Sequence, residues 1–257
     1  MTEKQWQIFC DFKKTFLKKV EEWSSLIPEL GDLQKQAAIA AKTPDYPFET
    51  PVVYNRDFDK LTKEDEIKLI VIGDNPGKDE QLAKNNRYLV GQAGKIADGF
   101  FRRNPELGVD FRKNVIIVNK TPVHSAKTAQ LKKIMALGGK KVSDLIMESQ
   151  LWMAKETAKL HKDLCEAAGE KGIKPELWLV GYAELKNKGF FTGYRDELKN
   201  SYGTSEYWDK VFVFQHFSMN RFTIDLGKYI EENKLEAVKL IEVIHKLGTV
   251  HKTEIYN

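Results

Sequence analysis

Four short apolar runs constrain this chain more than any other feature: KLIVIG at 68–73, NVIIVN at 114–119, ELWLVG at 176–181 and KVFVFQ at 210–215. Each is nearly continuous and rich in β-branched or aromatic residues. Strands covered on one face alternate apolar with polar residues, whereas strands buried on both faces read as unbroken apolar runs. Helical patterns fill much of the intervals. The expected fold is therefore α/β, a three-layer α/β/α sandwich around a mostly parallel, four-stranded central sheet.

Around these runs, residues 4–29 place Trp6, Phe9, Phe12, Phe16, Val20 and Trp23 at spacings of three and four, predicting an amphipathic helix packed on the body of the domain. Residues 226–247 predict a C-terminal helix with a solvated, charge-alternating face. Between 128 and 167 a long helical pattern breaks at Gly138-Gly139 and resumes at Ser143-Asp144, with His161 expected as a packed or solvated side chain rather than a ligand. Thr43 to Asp57, rich in proline and aromatic residues, reads as an extended approach segment whose apolar side chains need burial.

Composition limits the partners. With 257 residues and 42% apolar content the chain can bury one substantial core, so a single domain over 1–257 is expected. Lys and Arg number 41 against 37 Asp and Glu, and the resulting +4 permits a polyanionic partner without requiring one. Two cysteines, Cys10 and Cys165, cannot build a disulfide framework or a four-cysteine metal cluster. No metal or other cofactor is expected. The letters show no signal peptide and no apolar stretch of bilayer length, so the expectation is an intracellular, cytoplasmic monomer without a membrane partner.

Ligand sites of open α/β sheets form beyond the carboxyl ends of the strands. The residues standing there are Asp74-Asn75-Pro76-Gly77, Asn119-Lys120-Thr121-Pro122, Gly181-Tyr182 and Gln215-His216-Phe217-Ser218. The first set is neither a dinucleotide-binding glycine motif nor a phosphate loop. Pro76 biases Asn75 toward an extended conformation, and Gly77 allows close approach of backbone. Asn119 carries a donor and an acceptor suited to a pyrimidine edge, and His216 can donate to a developing anion. Taken singly, these are equally turn, capping or core residues, and Tyr88 reads first as core.

In this order, GDNPGKDE at 73–80, YLVGQAG at 88–94, VNKTPVHS at 118–125 and FQHFSMNRF at 214–222 resemble the uracil-DNA glycosylase superfamily. The first segment is similar to the Gly-X-Asn-Pro-Gly of the single-strand-selective and mismatch-specific branches, the second to the Phe-Val-Gly-X-Ala-Gly of the thermostable branch. The resemblance implies that Asn75 orients the attacking water while Asp74 stands where a glutamate stands in the thermostable branch. It implies that Tyr88 stacks on the flipped base, Asn119 reads the uracil edge, His216 stabilises the departing base and Ser218 contacts phosphate. Met219 becomes the wedge that fills the vacated stack, Arg221 a phosphate contact, and Lys120 part of a basic rim with Lys78, Lys95, Arg102 and Arg103. Gly77 replaces the tyrosine that blocks the thymine methyl group.

The four-cysteine cluster of the thermostable branch has no counterpart, and Phe217 stands where the family has proline after the histidine. The expected function is hydrolysis of the N-glycosidic bond of uracil or a related damaged base in DNA, by a flipped-base, monofunctional mechanism. The partner is then DNA carrying a modified or deaminated base. A nucleobase-binding protein without hydrolysis and a hydrolase of small nucleosides are the competing expectations.

Overall fold

All four apolar runs fold as strands and pair in parallel. In a computed structural model, which describes residues 1–170 and 172–257, the order is α1 (Glu3–Leu26), α2 (Leu30–Ala40), β1 (Leu69–Gly73), α3 (Gln92–Arg103), β2 (Val115–Asn119), α4 (Ala129–Ala167), β3 (Glu176–Val180), α5 (Tyr182–Leu185), α6 (Thr192–Tyr202), β4 (Val211–Phe214), α7 (Arg221–Asn233) and α8 (Leu240–Tyr256). The sheet order is β2-β1-β3-β4. Leaving β1, the chain steps to one side for β2, then crosses back over β1 to lay down β3. A switch point therefore opens between the carboxyl ends of β1 and β3.

Helices cover the sheet on both sides, giving the three-layer arrangement. On one side Phe101 of α3 and Phe222 of α7 pack against Trp178 of β3, and His245 of α8 stacks on Phe212 of β4. The other layer is α1, α2, α4 and α6, packed on one another. One continuous cluster of buried apolar residues runs from Phe9 of α1 to Ile255 of α8.

Local chemistry explains the helix ends. Thr2 accepts a hydrogen bond from the Gln5 backbone N–H while the Gln5 side chain accepts from Thr2, a reciprocal cap for α1. The chain leaves α1 at Ile27, before Pro28, so the helix is shorter than 4–29, and α2 follows as a separate element. In α4 the break falls at Gly139, with φ 65° and ψ −153°, a conformation that only glycine adopts at low cost. His161 is buried, bonded to the Tyr202 hydroxyl and the Pro175 carbonyl.

The C-terminal expectation needs correcting. Residues 226–247 are not one helix: α7 begins at Arg221 and stops at Asn233, where Lys234 takes a left-handed conformation with φ 54°, and α8 carries the chain on to Tyr256. No described helix is long and apolar enough to cross a membrane.

Candidate functional site

A cavity of about 660 Å³ opens at the carboxyl ends of the strands. Asp74 and Asn75 from the β1 end, Asn119 from the β2 end, Gly181 after β3 and Gln215 and His216 after β4 all line it. Residues 34 to 142 positions apart, on four different strand ends, thus meet at the switch point, brought there by parallel pairing that aligns Gly73 with Asn119 and Val180 with Phe214.

Asn75 is held on two sides. Its Nδ2 donates to Ser125 O and Ser125 Oγ, each at 3.0 Å, and its Oδ1 accepts from Thr128 Oγ1 at 3.1 Å. The following carbonyl, Pro76 O, accepts from His124 Nδ1 at 2.8 Å. Since a carbonyl can only accept, the His124 proton is on Nδ1, and Nε2 takes the Tyr46 hydroxyl at 3.0 Å. Burial pushes His124 down to about 4, so the ring is neutral at physiological pH. The approach segment is fastened to the same floor through Gln81, which donates to Pro47 O and Lys78 O and accepts from the Glu49 and Thr50 amides.

Asp74 faces a buried partner. Lys120 Nζ donates to Asp74 Oδ1 at 2.5 Å, to Val180 O at 2.6 Å and to Gly73 O at 3.4 Å. Three acceptors match the three hydrogens of an ammonium, which also lies 5.0 Å from the Phe191 ring centre. Burial pulls Lys120 below its usual range, and Asp74 opposes that pull. The second carboxylate oxygen, Oδ2, meets only Thr128 Oγ1, at 3.4 Å, among the described residues, and Asp74 lines the cavity. Gly181 makes the fit feasible: with φ +98°, it has no Cβ where one would lie 2.3 Å from Asp74 Oδ1.

Asn119 is 1% exposed, and its Nδ2 has no partner among the described residues. Its Oδ1 packs over Gly73, where a Cβ would come within 2.4 Å. The side chain is thereby fixed beside the cavity with a buried, unused donor. His216 is also fixed. The Ser218 backbone N–H donates to its Nδ1 at 3.0 Å and Ser218 Oγ lies 2.8 Å from the same atom, so the proton is on Nε2. Burial lowers His216 below 6.5; Lys120 and Arg221 push the same way, against the pull of Asp74. A neutral ring with an N–H donor at the cavity results.

Beyond His216, Phe217 turns inward, 0% exposed and against Phe222 and Phe111. An aromatic anchor thus takes the place expected for proline. Met219 and Asn220 follow with φ 53° and 57°, left-handed conformations that thrust Met219 outward to 68% exposure beside the cavity. Arg221, Lys78 and Lys127 are exposed at the same mouth, Asp79 and Glu184 among them.

Two expected site residues are elsewhere. Tyr88 is 0% exposed, donates its hydroxyl to Val53 O at 2.6 Å and does not line the cavity. It is a core residue, and the next residue, Leu89, lines the cavity instead; Leu89 is also the residue that immediately precedes Val90-Gly91, where the resembled segment has its aromatic. Lys120 is no rim residue: its side chain is 0% exposed and committed to Asp74. Gly77 does line the cavity. Ser125, Thr128 and Glu80 belong to the site and were not singled out from the sequence, although Ser125 and Glu80 end two of the quoted segments; Gly181, expected at a strand end, lines the cavity as well. Among the described residues no group of three or more His, Cys, Asp or Glu side chains is placed to hold a metal ion. Comparison with family models, with curated proteins and with solved structures finds no match for the chain.

Proposed function

We propose that the chain is a monofunctional DNA glycosylase that releases uracil or a related damaged base from a flipped nucleotide. One observation carries this: Asp74, Asn75, Asn119 and His216 meet in one cavity, and the donors of Asn119 and His216 are both unspent. Hydrolysis of an N-glycosidic bond builds positive charge on the sugar and negative charge on the departing base. The free Oδ2 of Asp74 offers the first charge its counterpart. With Oδ1 paired to Lys120, it is the field of Oδ2 that Asp74 brings to the sugar. Asn75, with both amide atoms braced, positions the attacking water through the remaining lone pair of its Oδ1.

His216 Nε2–H donates to the base as it leaves, and Asn119 Nδ2 holds a carbonyl on its edge. Lys78, Lys127 and Arg221 meet backbone phosphates, Ser218 stands next to them, and exposed Met219 fills the space vacated in the stack. With Tyr88 in the core, the apolar wall available to the base is Leu89.

The test is a single-turnover assay on single- and double-stranded oligonucleotides containing uracil, hypoxanthine, xanthine or mismatched thymine, with abasic sites cleaved afterwards. Release of at least one base is expected, with no strand cleavage by the protein itself. Absence of release across the set refutes the hydrolytic function.

A further inference from the structure

We propose that Glu80 is a specificity-determining residue of this cavity, a neutral carboxylic acid whose hydroxyl donates to a carbonyl oxygen of the bound base, so that oxo bases are admitted over amino bases. The role rests on the same glycosylase reading and adds the class of base selected.

Geometry comes first. Glu80 lines the cavity yet is only 7% exposed. It stands beside Gly77, where a Cβ would be 4.0 Å from Glu80 Oε1, so its carboxyl fills wall space that a larger residue at 77 would contest. The charged groups around it do not compensate a carboxylate. Arg112 is the cation that acts on it, but its guanidinium is spent on Asp57 Oδ2 at 3.4 Å, Tyr88 O at 3.3 Å and Leu89 O. Asp79 adds a like charge, and the Tyr88 hydroxyl is already given to Val53 O. Uncompensated burial pushes the carboxyl up to about 8, against the opposing pull of the Gly77 and Leu89 backbone amides and of Arg112.

A neutral acid has one O–H to place. The Gly77 and Leu89 backbone lies near the carboxyl, no side chain among the described residues receives the proton, and Glu80 lines the cavity. Asn119, which lines the same cavity, holds a second donor, its buried and unpaired Nδ2. Two donors without an opposing carboxylate complement a base edge bearing carbonyl oxygens, as in uracil, thymine or xanthine. An exocyclic amine in the same place sets donor against donor, which costs a buried unpaired group.

The experiment is equilibrium binding of free uracil and free cytosine by NMR titration, at pH 7 and pH 9, to the wild type and to Glu80→Gln, whose amide keeps a donor at every pH. An acid of about 8 goes from about nine-tenths to about one-tenth protonated over that interval, so uracil affinity of the wild type should fall roughly tenfold while that of Glu80→Gln holds. Cytosine should bind the wild type less well than uracil at pH 7 and lose less at pH 9. A flat wild-type profile, or the same decline in Glu80→Gln, overturns the proposal. A titration of the Glu80 carboxyl by its carbon chemical shift needs no variant: a transition near 8 supports it, one below 5 overturns it. Uracil binding with this pH dependence but no release from oligonucleotides keeps Glu80 and discards hydrolysis; base release with a pH-independent preference does the reverse.

Discussion

Replacing Glu80 by glutamine should stabilise the protein, and by an amount that grows with pH. In the folded chain the carboxyl is raised to about 8 from an ordinary 4.5, so between those values the folded state holds a proton that the unfolded state has released. The wild type is therefore most favoured at or below pH 4.5 and loses stability as pH rises toward 8. Each pH unit inside the window costs about 1.4 kcal/mol, and from pH 5 to pH 8 the loss is about 3 kcal/mol. Glutamine has no such proton to lose, and every other titrating group is common to both proteins. The difference between the two unfolding curves therefore isolates position 80. In a chain of this size about 1 kcal/mol moves the melting temperature by 2–4 °C, so the gap should widen on the order of 10 °C between pH 5 and pH 8. Thermal melts and urea titrations at unit steps of pH measure it directly. A gap that stays constant with pH would mean that Glu80 is ionised in the folded state, and both its burial cost and its donor role would be discarded.

Three further outcomes are expected. His216→Ala should slow base release about a hundredfold or more while substrate DNA stays bound, and any acid limb of the wild-type rate should lie below the usual histidine value, because burial holds the ring down; an acid limb at or above 6.5 would contradict the buried, neutral ring. Lys120→Met strips the counter-charge from a carboxylate on the cavity floor and should cost about 3–5 kcal/mol in urea unfolding, much of it recovered when Asp74→Asn is added; equal losses in the single and double variants would refute the pairing. Phe217→Ala, at a fully buried aromatic, should cost about 3–5 kcal/mol and loosen the loop carrying Met219; a loss below 1 kcal/mol would contradict its place in the core.

The strands were legible because doubly buried strands leave unbroken apolar runs, and the expected and observed strands differ by no more than a residue at either end. Their ends pointed to Asp74, Asn75, Asn119 and His216 for the same reason, since a parallel sheet delivers its carboxyl ends to one edge. Tyr88 reads as core from its own letters and is core; the resemblance put it on the base because it lies in an irregular segment, where no period tells which of two neighbours faces inward. Asn55 decides that, accepting from the Tyr88 amide at 3.2 Å, a contact across 33 residues. Lys120 next to Asn119 reads as a surface cation until β3 supplies Val180 O. Glu80, last of the acid-rich KDE, reads as solvated for want of any local sign of burial. The break between α7 and α8 falls in NKLEAVK, which has neither glycine nor proline to mark it.

The buried Lys120 ammonium also has a bearing on how the sheet assembles. It starts just past β2, takes acceptors at the end of β1 and in β3, and is satisfied only when β2 pairs with Gly73 opposite Asn119 while β3 lies on the far side of β1. A slip of one residue in either pairing would leave a cation sealed among apolar side chains, at a cost of several kcal/mol. Continuous apolar strands lack the alternating pattern that normally forbids such slips. Here one lysine supplies the missing penalty, so the chain cannot complete its hydrophobic sheet in the wrong register without losing the charge balance at the mouth of its own cavity.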